Sequence, residues 1–212
     1  ERFFADEATY VNDPREISWT LSLKNRLSSG TEIEFDERSI TTAMYRPFCK
    51  RNAYFNRSLN HILGRLLSIF PTPHHTSVGI VLTAPASHFE FTPFITAELP
   101  DLHLLDTGQF FPRWSYEKVE DEGTLEFTSG TDVDEWGYRR IDNITDDILA
   151  VYRAAVGEAD KDDIFYYVYG TLHDPNYRIA YAADLKKMLP HIPTPDSAER
   201  FRRIADIGRQ LA

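Results

Sequence analysis

The spacing of hydrophobic and polar residues changes near Gly137, and the predicted elements change with it. Before that point the pattern is mostly short and strand-like. Residues 76–83 (TSVGIVLT) are apolar and β-branched enough for a buried strand, and residues 32–44 (EIEFDERSITTAM) alternate in part. Shorter strands are expected at 94–97 and 102–105, and a hairpin over 114–127 that turns at Asp121-Glu122-Gly123. Two stretches have helical spacing instead. Residues 16–27 stop at Gly30, and residues 57–70, apolar at Leu59, Ile62, Leu63, Leu66 and Leu67, end at Pro71.

After Gly137 the period is that of helices. Residues 142–156 place Ile144, Ile148, Leu149 and Tyr152 on one face. Asp160 caps a helix over 161–173, with Ile164, Phe165, Val168, Tyr169 and Leu172 at helical spacing. Asp174 caps the next, with Pro175 at its first position, where a missing N–H is harmless; it runs to Leu189 and stops at Pro190. Pro195-Asp196 opens the last, with Phe201, Ile204, Ala205, Gly208 and Leu211 facing inward. The expectation is an α+β fold: a β-rich part with a mixed or antiparallel sheet over 1–136, then a bundle of about four helices over 137–212.

The composition is globular, with 42% hydrophobic and 26% charged residues in 212, which excludes disorder, collagen and coiled coil. The single cysteine, Cys49, excludes a disulfide framework and a multi-cysteine zinc site. No apolar run is long enough to span a bilayer. The start Glu1-Arg2-Phe3-Phe4-Ala5-Asp6-Glu7 does not read as a signal peptide, and without an initial Met the chain is expected to be a piece of a longer cytoplasmic protein.

The net charge of −10 is unlike that of most nucleic-acid binders. Its distribution changes the picture. Between Arg38 and His88 lie Arg38, Arg46, Lys50, Arg51, Arg57 and Arg65 and not one Asp or Glu. The flanking segments carry net charges of −5 and −11. A surface kept free of carboxylates suits a polyanion. Equally, these cations balance carboxylates brought in from other segments by the fold.

Catalytic signatures are missing: there is no G-x-G-x-x-G, P-loop, H-E-x-x-H or G-x-S-x-G. Adjacent His74 and His75 point to opposite sides of an extended chain, so they do not chelate one ion together with Cys49. The acidic runs at 120–122 and 132–135 read as solvated turns. The informative run is Tyr45-Arg46-Pro47-Phe48-Cys49-Lys50-Arg51-Asn52-Ala53-Tyr54-Phe55, in which cations and aromatics interleave. Pro47 forces Arg46 into extended geometry. Arginine presents a planar fork to phosphate oxygens or to guanine O6 and N7, and lysine a compact charge. Phe48, Tyr54 and Phe55 are expected to anchor the loop in the core. A second cluster, Phe110-Phe111-Pro112-Arg113-Trp114-Ser115-Tyr116, predicts an edge strand with Arg113 directed to the surface.

The run Tyr45-Arg46-Pro47-Phe48, the segment Phe111-Pro112 to Tyr116, and the block from Arg139-Arg140-Ile141-Asp142 through Phe165-Tyr166-Tyr167-Val168-Tyr169-Gly170 to His191-Ile192-Pro193 together resemble one family. This is the C-terminal specificity domain of type ISP restriction-modification enzymes. Two positions depart from the family's habit: Cys49 stands where an aspartate is usual, and Arg113-Trp114 where Leu-Tyr is frequent. The resemblance implies a non-catalytic domain that recognises a double-stranded DNA target for an adenine methyltransferase in the same polypeptide. S-adenosylmethionine, ATP and Mg would act in other domains, and no cofactor or metal in this one. On that reading Arg38, Lys50, Arg57 and Arg65 contact phosphates, and Arg46, Arg51 and Arg113 contact base edges. The competing expectation is a helical docking module that does not read DNA.

Overall fold

The computed structural model describes residues 19–61, 63–85, 87–119 and 132–212. The described residues form three small sheets and a helical layer, with one strand packed on both faces. That strand, β3 (Gly79–Leu82), is buried along its whole length, as its Ile-Val-Leu run requires. It lies between β4 (Pro93–Thr96) and β6 (Gln109–Pro112), antiparallel to both. The residues of β3 alternate between two cores. Ile80 and Leu82 face helices, packing with Phe165, Tyr169, Leu172, Tyr177 and Leu185. Val81 faces the opposite way, onto Met44 and Leu104.

Met44 belongs to β1 (Ile40–Arg46), which forms an antiparallel hairpin with β2 (Cys49–Tyr54) and pairs in parallel with the two-residue β5 (Leu99–Pro100). The first strand begins later than its alternation predicted. The Asp36 carboxylate accepts from the Arg38 N–H and starts a single 3-10 turn, Glu37–Ser39. The second strand was not anticipated at all. Its sequence, CKRNAY, lies at a sheet edge and is mostly exposed, so it buries no alternating apolar face.

The expected helix over 57–70 shrinks to α2 (Leu66–Ile69), preceded by α1 (Leu21–Ser28) with Thr20 as its cap. Asn56 draws the chain into a turn by accepting from the Ser58 N–H, and Gly64 takes φ +54°, a left-handed step no helix continues through. Residues 102–105 form a turn rather than a strand, because the Asp101 carboxylate accepts from the His103 N–H. Strand β7 (Trp114–Lys118) pairs with β8 (Tyr138–Asp142). The turn expected at 121–123 and its returning strand lie outside the described residues.

The helical layer comprises α3 (Asp146–Val156), α4 (Lys161–His173), α5 (Pro175–Ala180), α6 (Ala182–Leu185) and α7 (Ala198–Leu211). Strands before helices make the fold α+β, as expected. Helix α4 opens on a reciprocal capping box: the Asp160 side chain accepts from the Asp163 N–H, and Asp163 from that of Asp160. The long helix expected after Asp174 breaks at Tyr181, whose φ and ψ of −108° and 17° separate α5 from α6. Helices α4 and α7 touch backbone to backbone. A Cβ on Gly208 would stand 2.0 Å from the Tyr166 carbonyl oxygen, and one on Gly170 2.3 Å from that of Ile204. Around this crossing, Phe201 is only 1% exposed, a burial that stabilises by roughly 1.5–3 kcal/mol. None of the described helices is long and apolar enough to cross a membrane.

Candidate nucleic-acid interface

The β1–β2 hairpin is held by its inner strand, with Ala43 against Phe70 and Leu99, and Met44 against Val81. Its outer strand and its tip face solvent. The pairing runs regularly from Ile40 opposite Tyr54 to Met44 opposite Lys50, then slips, so that Tyr45 is the extra residue of a bulge before Arg46 pairs with Cys49. A bulge sharpens the local twist and re-aims side chains. Here the guanidinium of Arg46 lies 4.2 Å from the centre of the exposed Tyr45 ring and that of Arg51 4.9 Å. A cation over a ring face is attracted by the ring's quadrupole, and the Arg46 Nη1 also donates to the Tyr45 carbonyl oxygen at 2.7 Å.

The tip itself is Pro47-Phe48. Proline sets φ near −65°, and Phe48 takes φ +63°, the combination of signs of a type II turn. A bulky residue in that conformation is strained by roughly 1–2 kcal/mol. Phe48 is 90% exposed and forms an edge-to-face pair with Phe94, at 5.5 Å between centroids. It is therefore not the core anchor expected from its residue type. Tyr54 and Phe55 come closer to that expectation. Tyr54 is half-buried, stacks on Phe35, and its hydroxyl accepts from the Asp36 N–H; Phe55 packs beside Phe70.

The structure brings Arg46, Lys50 and Arg51 together at the distal end of the hairpin. Arg38 and Arg57 flank its base, about 20 Å away at roughly 3.3 Å per residue, and Arg65 precedes α2. The surface is not free of anions. Asp36, Glu98 and Asp101, all from outside the acid-free segment, reach Arg38, Lys50 and Arg46 at 2.9, 2.7 and 3.3 Å. All three pairs are exposed or half-exposed, and such pairs contribute about 0–1 kcal/mol, so phosphate can displace the carboxylates. The Arg38 partner holds the Asp36 carboxyl below its usual range. Arg51, Arg57 and Arg65 are exposed, and among the described residues no carboxylate pairs with them.

Arg113 is elsewhere. The edge strand inferred from Pro112 is there, as β6, but the side chain points inward and is only 8% exposed. Its Nη1 donates to Asp142 at 2.6 Å and its Nε to Asp162 at 2.7 Å. Lys161 adds contacts to Asp142 at 3.0 Å and to Asp146 at 2.7 Å. This cluster ties the β6–β7 corner and the end of β8 to the start of α4. Burial raises the Asp142 pKa, but Lys161 and Arg113 outweigh it and hold the carboxyl below its usual value. The expectation of a surface-directed Arg113 is thus corrected: Pro112 reports a strand edge but not which way the next side chain turns.

Two features escaped sequence reasoning. One is the pairing of β7, a strand that was expected, with β8, which was not; together they carry Lys118, Arg139 and Arg140 on an exposed surface, with Arg140 5.0 Å from the Trp114 ring. Counting charge by segment hid it among the surrounding acids. The other is a clip at its far end. His75 Nε2 donates to the Asp134 carboxylate at 2.8 Å, and its Nδ1 lies 2.6 Å from the Thr72 hydroxyl. Among the described residues no group of three or more His, Cys, Asp or Glu is placed to hold a metal ion.

An exposed cationic hairpin carried on a packed sheet, backed by helices, is the build of a recognition domain. The chain belongs to the type ISP C-terminal specificity domain family, whose model matches residues 2–212. No curated protein matches. Solved structures similar to it include the following three. The DrdV–DNA complex is 30% identical over 94% of this chain, with a TM-score of 0.75. The DNA-bound, ATP-dependent type ISP restriction-modification enzyme LlaBIII is 25% identical over 100%, with a TM-score of 0.80. A nuclease-deletion mutant of the type ISP enzyme LlaGI, in complex with a DNA substrate mimic, is 31% identical over 98%, with a TM-score of 0.71. The chain spans 18%, 13% and 14% of those proteins' own lengths.

Proposed function

We propose that this chain recognises a specific double-stranded DNA sequence, as the target-recognition domain of a type ISP restriction-modification enzyme. It performs no chemistry itself. It directs adenine methylation and restriction by other parts of the same polypeptide, where S-adenosylmethionine, ATP and Mg act. The observation that carries this reading is the hairpin tip, where Arg46 and Arg51 share the Tyr45 ring beside Lys50. Planar guanidinium forks suit base edges, while Lys50, Arg57, Arg65 and Arg38 supply phosphate contacts along the hairpin and its base. The DrdV, LlaBIII and LlaGI structures each hold DNA or a DNA substrate mimic, which supports the assignment.

A second role rests on the helices. Ile148 and Val151 on α3, and Ile207 and Leu211 on α7, are 44–53% exposed and would suit docking to the methyltransferase part of the polypeptide. Selection from a random duplex library, with the polypeptide that contains this chain, separates the two. The unaltered protein should enrich one sequence, and R46E/R51E should enrich none while staying folded. Equal enrichment by both would remove the hairpin from recognition.

A further inference from the structure

We propose that Phe48 is a wedge: when duplex DNA binds, its ring enters between two stacked base pairs and opens that step. The inference rests on the DNA-recognition reading above and adds a contact that no cation of the hairpin can make. Phe48 is 90% exposed, more than any other large hydrophobic residue among the described ones. Its backbone sits at φ +63°, a position that glycine fills without strain. The folded chain gains little in return, since the residue stays 90% exposed despite an edge-to-face pair with Phe94. Strain kept at an exposed tip points to a use for the side chain outside the chain itself.

The surroundings specify that use. Pro47 stiffens the turn, and the paired strands of the hairpin hold the ring outward. Lys50, two residues away, suits a phosphate beside the opened step, and Arg46 and Arg51, within three residues, suit the base edges next to it. Apolar side chains inserted between base steps, flanked by cations on the backbone, are a recurrent means of unstacking a duplex. A wedge also discriminates sequence, because pyrimidine–purine steps open more readily than others.

The test uses the polypeptide that contains this chain and the duplex it selects, with 2-aminopurine placed at each position in turn. The unaltered protein should brighten the probe at one step, and F48A and F48G should lose that signal while any brightening elsewhere in the site persists. Affinity should fall roughly tenfold, as for other stacked aromatics. F48G should unfold at the same temperature or higher, because it removes the strained phenylalanine; this separates loss of the wedge from loss of the fold. Unchanged probe scans and affinity in F48G would overturn the wedge and leave DNA recognition standing. Lost affinity with no brightened step would mean that the ring reads a closed stack, such as a thymine methyl, and would also overturn it. No DNA binding by the unaltered protein would remove both readings.

Discussion

Replacing Arg113 by methionine keeps the buried stem of the side chain and removes both of its ion pairs. The loss follows from the geometry. Nη1 to Asp142 at 2.6 Å and Nε to Asp162 at 2.7 Å are charge-assisted bonds, which contribute about 1.5–3 kcal/mol each when enclosed. The two are not equally enclosed. The Asp162 side chain is 57% exposed and regains water, so its bond counts for about 0.5 kcal/mol. The Asp142 side chain is 38% exposed and keeps Lys161 at 3.0 Å, so its bond counts for about 1.5 kcal/mol. R113M should therefore destabilise by about 2 kcal/mol, a fall in melting temperature of roughly 4–8 °C for a chain of this size. Thermal unfolding followed by circular dichroism measures it, with D142N and D162N alongside. D142N should cost more than D162N, because it also releases Lys161. An R113M variant within about 0.5 kcal/mol of the unaltered chain, or the reverse order of the two asparagine variants, would refute the assignment of Arg113 as the tie between sheet and helices.

Gly208→Ala should destabilise by about 3 kcal/mol or more in the same assay, because its Cβ would fall 2.0 Å from the Tyr166 carbonyl oxygen and push α7 off α4; a neutral effect would mean that the helices do not touch there. Acid should unfold the chain through carboxylates held below their usual range. Against the upward pull of burial, Asp142 is lowered by Lys161 and Arg113, and Asp163 by Arg209 and the Asp160 N–H. Their contribution is present above about pH 4 and is lost as pH falls through the lowered folded values, so D142N and D163N should flatten the acid limb of a stability–pH curve. His75→Ala should speed hydrogen exchange at the Trp136 and Tyr138 amides, because Asp134, which accepts from both, loses its tether to the 72–75 segment; unchanged exchange would show that the clip is dispensable.

Elements that carry their own local signal were legible in the sequence, and those that depend on distant partners were not. Helix α4 has a capping box and a buried face, and β3 has a continuous apolar run; both formed where expected. Strand β2 has neither, because an exposed edge strand is selected by its neighbour's hydrogen bonds rather than by burial. The helix expected after Arg57 had the apolar spacing but also Asn56 and Gly64, whose local turn preferences prevailed. In the candidate site, the mixing of cations and aromatics at 45–51 was visible, and the hairpin does gather Arg46, Lys50 and Arg51. Their partners Glu98 and Asp101 were not visible, because they arrive through β5, which pairs with β1 across more than fifty residues of chain. The inward turn of Arg113 depended on Asp142 and Asp162, which lie 29 and 49 residues away.

The central claim is that the hairpin cations grip the DNA backbone and bases. The most direct measurement is duplex affinity against salt, from about 50 to 200 mM, for the polypeptide containing this chain and for its R51A variant. With about six phosphates neutralised, log affinity should fall against log salt with a slope near −5. R51A, which removes a base-edge contact, should lower affinity for the selected sequence by about 1–3 kcal/mol with the slope kept. A flat salt response, or an R51A variant that matches the unaltered protein in both affinity and slope, would contradict the account.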